Sequence, residues 1–488
     1  MVFSICIGDS MVTVYPVRIT GITISNFKNV EYGRLNLACD KDDYNASILG
    51  LYGQNGSGKT ALIDVMELLK NCLCGTVIDS RYADYININA GISTVCIDFS
   101  LRNGTERIPV SYEFSIKAGS DDSQQNTGMI SDIEWKKTVI ISDEIIRCPI
   151  VAGSGAKKGR MMDTSSDIFS PLSKKILLVG RDSNIDTDLI VAKKLAKAQS
   201  RSFLFSRELL SLIRRRAELK SGNAAEQKES DYYISVLESL VNFGNHGLFV
   251  INTATSGLIS LDTQPISFKY SEGNMGALGT IMLSLDRSQL IPKHGLEIVK
   301  KVIGNMNTVL CRIVPGLTVG IKELGTEVMS DGNIGCRIQL MSEKNSKEIP
   351  LKYESEGIKK IISILQLLIV IYNQDSITVA IDELDSGVFE YLLGEILRII
   401  SEKGKGQLIF TSHNLRPLET LDKSFIAFTT NNPRNRYVRM QNVKENNNLR
   451  DFYYRSITLG TQKEELYEPT KNADIAFAFR EAGVNGCK

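Results

Sequence analysis

The residues best suited to chemistry form a glycine-rich segment in the N-terminal part of the chain. Gly53–Thr60 reads GQNGSGKT, in which glycines precede a lysine and a threonine. Glycines allow backbone N–H groups to turn around phosphate oxygens, and the N-terminus of a following helix adds positive potential. The segment is therefore predicted to be a phosphate-binding loop. Its nucleotide-binding residues are predicted to be Asn55, Gly56, Ser57, Gly58, Lys59 and Thr60.

The flanking sequence supports this prediction. Ala46–Tyr52 has the pattern of a buried strand and Ala61–Cys72 that of a helix, which is the context that such a loop requires. Lys59 can reach the β- and γ-phosphates of ATP, while the Thr60 hydroxyl can ligate Mg²⁺. ATP and Mg²⁺ are therefore the expected ligands.

A second candidate site lies at the end of an apolar segment in the C-terminal half. Ile377–Ile381 is predicted to be a buried strand, and Asp382 and Glu383 follow it. The carboxyl ends of such strands are where α/β sheets bind ligands. Asp382 is predicted to hold the Mg²⁺ shell, and Glu383 is predicted to polarise the attacking water. Phosphoryl transfer needs this division of labour between a metal-bound and a water-bound carboxylate.

Three further motifs surround this strand. Ser355 and Gly357 open an apolar helix before it, Asp385 lies in the loop after it, and Gln407–Ser412 is a predicted strand that delivers His413. In this order the motifs resemble the head of an ABC-type ATPase, where they are the signature, the D-loop and the switch histidine. The resemblance implies that two heads sandwich ATP, with Ser355 and Gly357 on the γ-phosphate held by the other subunit. It implies that His413 contacts the γ-phosphate in cis, and it adds Asp385 to the nucleotide-binding residues.

The length of chain between Lys59 and Ser355 narrows the resemblance. This separation exceeds that of a transporter head. The chain therefore resembles the group of RecF, Rad50, SMC and overcoming-lysogenization-defect ATPases, whose heads are split by an insertion. Ile24–Asn29 resembles the first-strand motif of this group, and Lys28 matches its basic residue near the phosphates. The predicted fold is an α/β ABC-ATPase head split by a mainly helical insertion. The predicted parts are residues 1–180 (first half of the head), 181–312 (insertion) and 313–488 (second half).

One element of the ABC pattern is missing. No glutamine occurs between Thr60 and Ser123, where the amide of a Q-loop belongs. Asn87 or Asn89 could supply the amide that senses Mg²⁺ and water. Without such an amide, hydrolysis is expected to be slow.

Hydrophobic periodicity predicts the elements that must position these residues. Strands are predicted at 17–27, 93–99, 108–116, 139–141, 317–324 and 335–341, and helices at 188–243 and 296–313. Residues 154–173, rich in Gly, Ser, Lys and Asp, are predicted to form a loop. The insertion has no sustained heptads, so a long coiled coil is not expected.

Composition limits the cellular context and the partners. The net charge is +1, so any nucleic-acid contact must come from local basic clusters. The alternative is that these clusters form a solvated helix face or bind an acidic partner. The nine cysteines are scattered, which indicates reduced thiols in a cytoplasmic protein. The apolar run Ile361–Tyr372 is too short to span a bilayer. The first residue of the natural protein could be Met1 or Met11. The clusters are Lys157, Lys158 and Arg160; Lys193, Lys194, Lys197 and Arg201; and Arg214–Arg216.

Two functions remain open at this stage. The chain is similar to the stand-alone ATPases of anti-phage systems such as Septu, PARIS and abortive infection, which implies a sensor or scaffold that controls a separately encoded nuclease or toxin. The alternative is a RecF-like ATPase of DNA repair or maintenance. The expected partners are a second copy of the chain and an effector protein, with nucleic acid as a further candidate and no membrane.

Lys59→Ala tests the phosphate loop. The substitution removes the charge that faces the β- and γ-phosphates, so ATP binding should be abolished. Equilibrium binding of a fluorescent ATP analogue is the measurement. Unchanged affinity in this variant would remove the phosphate-loop assignment.

Overall fold

The computed structural model describes most of the chain, and the structural statements below refer to that part. The described residues are 13–37, 46–120, 137–149, 158–165, 183–219, 224–252, 263–272, 275–284, 287–329, 332–440, 448–460, 462–469 and 471–485.

The described chain contains runs of strands separated by helices. The strands are β1 (Val17–Phe27), β2 (Val30–Asn36), β3 (Ser47–Tyr52), β4 (Ser93–Asn103), β5 (Glu106–Ser120), β6 (Lys137–Pro149), β7 (Lys158–Asp163), β8 (Leu248–Ile251), β9 (Thr263–Glu272), β10 (Met275–Ser284), β11 (Gln289–Pro292), β12 (Leu317–Val328), β13 (Ile334–Lys344), β14 (Lys347–Pro350), β15 (Thr378–Ile381), β16 (Gln407–Thr411), β17 (Ile426–Thr429) and β18 (Tyr437–Val438). The helices are α1 (Lys59–Leu73), α2 (Ser183–Ala198), α3 (Arg207–Leu219), α4 (Ala224–Asn242), α5 (Lys293–Ile313), α6 (Glu356–Asn373), α7 (Glu390–Lys403), α8 (Pro417–Thr420), α9 (Leu449–Leu459) and α10 (Asn472–Asn485).

The centre of the fold is a six-stranded sheet in the order β18-β17-β3-β16-β15-β8. The strands from β17 to β8 are parallel, and β18 pairs with β17 in the antiparallel direction. Every residue of β3, β15 and β16 is buried. Their continuous apolar composition is therefore that of parallel strands covered on both faces.

Two apolar clusters cover the two faces of this sheet. Along β3, Leu49 and Leu51 point into a cluster shared with α1 and the N-terminal strands, whereas Ile48 points into a cluster shared with α5, α6 and α7. Successive side chains of a strand alternate between faces, so one short strand contributes to both cores. Full burial of one such aliphatic side chain stabilises the fold by about 1.5–3 kcal/mol.

A second sheet is fully antiparallel and has the order β2-β1-β4-β5-β6-β7. β1 meets β4 with a register shift between Ile19 and Gly21. Gln407 of the central sheet links the two sheets, because its side chain accepts from the Ile19 N–H (2.7 Å) and donates to the Ile19 carbonyl (2.8 Å). Two smaller antiparallel groups complete the topology: β9 with β10, and β11-β13-β12 with β14 paired to β13.

The segment predicted to be helical at 188–243 forms α2, α3 and α4. The loop predicted at 154–173 needs correction because it contains β7; residues 154–157 and 166–173 lie outside the described chain. The division into 1–180, 181–312 and 313–488 stays a prediction. Within 181–312, α2–α5 are helical, yet β8 joins the central sheet beside β15. Tertiary pairing, not local pattern, decides where so short a strand belongs.

Two compositional predictions can be compared with the described residues. The cysteines at positions 72, 74, 96, 148, 311 and 336 are free thiols. A search of the same part of the chain finds no helix with the length and apolar character needed to cross a bilayer.

A buried carboxylate joins the antiparallel sheet to the segment between α2 and α3. Glu144 of β6 is 2% exposed and accepts hydrogen bonds from the Tyr112 hydroxyl (2.7 Å) and the Phe203 N–H (2.8 Å). It also accepts from the Ser202 hydroxyl and the Leu204 N–H. Four donors thus converge on one side chain, and their hydrogen bonds depend on it.

Glu144→Leu should lower the free energy of unfolding by about 3 kcal/mol or more, because each buried donor left without an acceptor costs about 1–3 kcal/mol. Urea denaturation followed by circular dichroism measures it. Glu113→Leu on β5 is the matched control, since its carboxylate makes a partly exposed ion pair with Arg147. That pair contributes at most about 1 kcal/mol. Equal losses in the two variants would contradict the structural role of Glu144.

Candidate functional site

The predicted phosphate loop has the backbone conformation that such a loop needs. Gly53, Gly56 and Gly58 have φ angles of 155°, 76° and 94°, a region that residues with a Cβ rarely adopt. The Cβ of any other residue at position 53 would lie 1.7 Å from Thr429 Oγ1. The structure therefore requires glycine at Gly53 for two reasons, conformation and space.

Lys59 lies at the first position of α1, folded back over the loop. Its Nζ donates to the carbonyls of Gly53 (2.8 Å) and Gln54 (3.0 Å), and the residue is 7% exposed. Burial lowers the pKa of Lys59, and the negative charges of Asp382, Glu383 and other nearby carboxylates oppose that shift. The lysine of the loop and the carboxylates that follow β15 thus form one electrostatic group.

A single hydroxyl fixes both carboxylate residues. Thr411, at the end of β16, donates from Oγ1 to Asp382 Oδ1 (2.5 Å) and accepts from the Glu383 N–H (2.8 Å). Asp382 is 1% exposed, whereas Glu383 is exposed. Glu383 has a φ of 48°, a left-handed conformation that costs energy for a residue other than glycine. This turn separates a buried carboxylate suited to a metal from an exposed one suited to water.

Asp385 and His413 are brought together by hydrogen bonds to the backbone. The Asp385 carboxylate accepts from the N–H of His413 (3.1 Å) and from the N–H of Asn414 (3.0 Å). Asp385 therefore holds the loop that carries His413, and His413 itself is exposed. This leaves the predicted switch histidine at the edge of the site, accessible to a ligand.

The start of α6 lies against the loop that follows the carboxylates. Ser355 caps α6 by accepting from the Ile358 N–H (3.4 Å), and it is exposed. A Cβ added at Gly357 would lie 2.3 Å from the carbonyl oxygen of Gly387. Glycine at position 357 thus permits close contact between the helix start and the loop that contains Asp385.

Lys28 does not point freely towards the loop. Its ammonium pairs with Asp64, which lies on α1 and is fully buried, and it stands 4.0 Å from the ring centroid of Tyr85. A contact between Lys28 and a phosphate would require this ion pair to open, so the nucleotide role of Lys28 stays a prediction. Residues 60 and 64 are four apart on one helix face, which places the pair one turn below Thr60.

Asn252 also lies at this edge of the central sheet, and the role of Asn87 or Asn89 as the missing amide stays a prediction. Asn87 accepts from the Asn89 N–H (3.0 Å), so both belong to a local turn. Asn252 directly follows β8, the parallel neighbour of β15, and its amide donates to Asp64 Oδ1 (2.5 Å). The sequence does carry one indication of Asn252: it follows the apolar segment Leu248–Ile251, as Asp382 follows Ile377–Ile381.

Thr60 and Asp382 stay the predicted magnesium ligands. They lie at the start of α1 and the end of β15, elements whose charges already interact through Lys59. Mg²⁺ commonly takes one or two protein oxygens and completes its shell with water and substrate phosphates. Among the described residues no group of three or more His, Cys, Asp or Glu could hold a metal by itself. The oxygen ligands present therefore fit Mg²⁺ bound together with a nucleotide.

The basic clusters are partly neutralised. Arg160 pairs with Asp163 (2.7 Å) and Arg214 with Glu238 (2.5 Å). Lys193 donates to the Thr164 carbonyl, whereas Lys194 and Lys197 are exposed on α2. Lys157 lies outside the described chain, as do the side chains of Lys158, Arg215 and Arg216.

Comparison with known proteins gives distant structural similarity. No protein-family model matches the sequence. No curated protein matches it. The structure is similar to an Smc head domain bound to the C-terminal domain of ScpA, from Pyrococcus furiosus, with 12% identity and a TM-score of 0.40 over 87% of this chain and 96% of that chain. An SMC head domain from Thermotoga maritima has 12% identity and a TM-score of 0.34, over 87% of this chain and 99% of that chain. RecF bound to ATP, from the RecFOR pathway, has 13% identity and a TM-score of 0.33, over 82% of this chain and 92% of that chain.

The fold class follows from the chain's own topology. The phosphate-loop strand β3 and the carboxylate strand β15 are parallel, with the histidine strand β16 between them. The α/β fold is confirmed, and its assignment to an ABC-type ATPase head split by an insertion stays a prediction. Similarity at these identities and TM-scores assigns neither an activity nor a partner to this chain.

Thr411→Val tests how the carboxylates are held. Valine keeps the volume but removes the hydroxyl, which leaves the Glu383 N–H without its acceptor and costs about 1–3 kcal/mol. Binding of ATP with Mg²⁺ should weaken, as measured by titration calorimetry. Thr411→Ser keeps the hydroxyl and loses one methyl group, worth about 0.8 kcal/mol, so it should retain binding. Equal affinity in the two variants would show that the hydroxyl does not position the site.

Proposed function

We propose that this chain binds and hydrolyses ATP between two copies of its head. The observation that carries the proposal is the common edge of the central sheet. There the Lys59 side chain, the Asp382–Glu383 pair held by Thr411 and the His413 loop held by Asp385 converge. A phosphate loop, a buried and an exposed carboxylate and an accessible imidazole form the set that phosphoryl transfer to water requires.

Each residue has a distinct role in this proposal. When ATP binds, the Lys59 ammonium donates to phosphate oxygens in place of the loop carbonyls. Glu383 orients the attacking water and takes its proton. His413, fixed through Asp385, contacts the γ-phosphate in the same head. Bound Mg²⁺, held through Thr60 and Asp382, would neutralise charge on the phosphates.

The second copy is inferred from the surface around the start of α6. Ser355 is exposed at the N-terminus of α6, and helix N-termini favour phosphate. Tyr353 before it is 68% exposed and Phe389 after the Asp385 loop is 71% exposed. Large aromatic residues beside an exposed anion-binding terminus favour a protein surface that closes on nucleotide.

The biological role we propose is a sensor or scaffold of anti-phage defence that controls a separate nuclease or toxin. A connection from the nucleotide loop to the C-terminus supports an output to a partner: the Glu468 N–H donates to the Gln54 side chain (3.0 Å). Beyond it, α10 exposes Ile475, Phe477 and Phe479. Co-purification with the product of the adjacent gene is the test, and loss of that complex on truncating α10 is expected.

A RecF-like role in DNA repair or maintenance is the second candidate. It is favoured by the exposed Lys194 and Lys197 on α2, since phosphate-backbone binding uses such lysines. The double variant Lys194→Glu, Lys197→Glu should then bind DNA more weakly and with a smaller salt dependence. Its binding to the product of the adjacent gene should not change.

Glu383→Gln tests hydrolysis and assembly together. It keeps the side-chain volume but loses the carboxylate, so ATP should still bind while turnover falls by roughly 10²-fold or more. Because ATP persists, two heads should remain associated. Adding Ser355→Arg should separate them by placing bulk at the shared face while each loop still binds ATP.

Light scattering with ATP and Mg²⁺ measures the molar mass, and nucleotide trapping measures retained ATP. Glu383→Gln without nucleotide is the control. If ATP produces no further assembly and Ser355→Arg changes nothing, the two-head proposal is wrong.

A further inference from the structure

A second buried lysine belongs to the same electrostatic group as the catalytic carboxylates. Lys360 lies in the second turn of α6 and is 7% exposed, as little as Lys59. A lysine buried to this extent is unusual unless its charge is compensated nearby. The sequence around it gives no such indication, because Lys359 and Lys360 together have the appearance of an ordinary basic helix face.

The packing of α6 gives Lys360 its direction. Gly357 touches the carbonyl of Gly387, so this face of α6 packs on the loop that follows β15. Lys360 is three residues after Gly357 and therefore lies on the same face of the helix. Its side chain accordingly extends towards the loop that contains Glu383 and Asp385.

The charges around Lys360 agree with this direction. Burial lowers the pKa of Lys360, and Glu383, Asp385 and Asp382, in that order, oppose the shift. The same three carboxylates act on Lys59 from α1. Two lysines from different helices thus balance three carboxylates on one loop.

The neighbouring Lys359 has a different environment. It is buried to a similar degree, with a side chain 8% exposed, but its Nζ pairs with Glu356 on its own helix (2.6 Å). Two adjacent and similarly buried lysines therefore face different carboxylates, Lys359 that of Glu356 and Lys360 those of the loop after β15. This pair offers a matched comparison inside one helical turn.

We propose that Lys360 is a positioning residue, whose ammonium holds the Glu383–Asp385 loop against the start of α6. This rests on the proposed ATPase function. The ammonium attracts Glu383 and Asp385 through space, in a partly buried site where such attraction is stronger than in water. The orientation of Glu383 towards water therefore depends on the helix that also carries Ser355. Lys360 does not touch the nucleotide in this scheme.

Lys360→Met is the principal test, because methionine keeps the length and burial of the side chain but removes the charge. We expect kcat for ATP hydrolysis to fall by roughly 10²-fold, the scale of a displaced reacting group, while KM and ATP affinity change by no more than about threefold. Lys360→Arg should restore most of kcat. The control Lys359→Met should keep kcat within about twofold.

Two further measurements separate positioning from loss of structure. Thermal unfolding with and without ATP identifies any variant that does not fold, and Lys360→Gln provides an uncharged polar replacement if methionine is not tolerated. Lys360→Gln should then resemble the expected methionine result, with the arginine variant still active.

The outcomes are distinct. A wild-type chain that binds ATP without turnover contradicts the proposed function itself. Wild-type turnover with Lys360→Met or Lys360→Gln unchanged overturns the positioning role. A parallel loss of kcat and ATP affinity, not rescued by arginine, also overturns it, since that pattern indicates a structural role.

Discussion

Parallel pairing of β3, β16, β15 and β8 is the constraint on which the site depends. The registers align Ile381 with Phe410 and with Ile251, so the next residues of three neighbouring strands emerge at one edge. Those residues are Asp382, Thr411 and Asn252. Because parallel strands end at the same edge, the carboxylate predicted to bind metal, the hydroxyl that fixes it and an amide become neighbours through strand pairing alone. The burial of both sheet faces keeps this register from slipping.

The sequence predicted the parts of the site that local chemistry determines. The glycines of Gly53–Thr60 and the carboxylates after Ile377–Ile381 could be identified because their composition follows from their task. Asn252 could not, since its role depends on β8 pairing with a strand that is distant in the chain. Lys360 could not either: a lysine pair in a helix does not reveal which member faces the core until the packing of Gly357 is known. Lys28 was identified by motif, but its pairing with Asp64 required the fold.

Two residues with a costly backbone conformation lie where the chemistry is proposed. Glu383 and Lys28 both adopt positive φ angles, of 48° and 51°, at which residues other than glycine are strained. Each is held by groups from other elements: Thr411 for Glu383, and Asp64 with Tyr85 for Lys28. Strained conformations persist when the surroundings determine them, and such surroundings also determine where the side chain points. The same arrangement that costs stability therefore orients the exposed carboxylate.

The helix α6 joins the surface proposed to face a second copy with the carboxylates of its own head. Its N-terminus carries Ser355, its first turn places Gly357 against Gly387, and its second turn carries Lys360. Close-packed interiors transmit small displacements because they contain little free volume to absorb them. Gly357 leaves no gap in which the loop could stay still while the helix start moves. In the proposed two-head assembly, nucleotide contact at Ser355 is thus coupled to the position of Glu383 in the same chain, and each head responds to the nucleotide of the other.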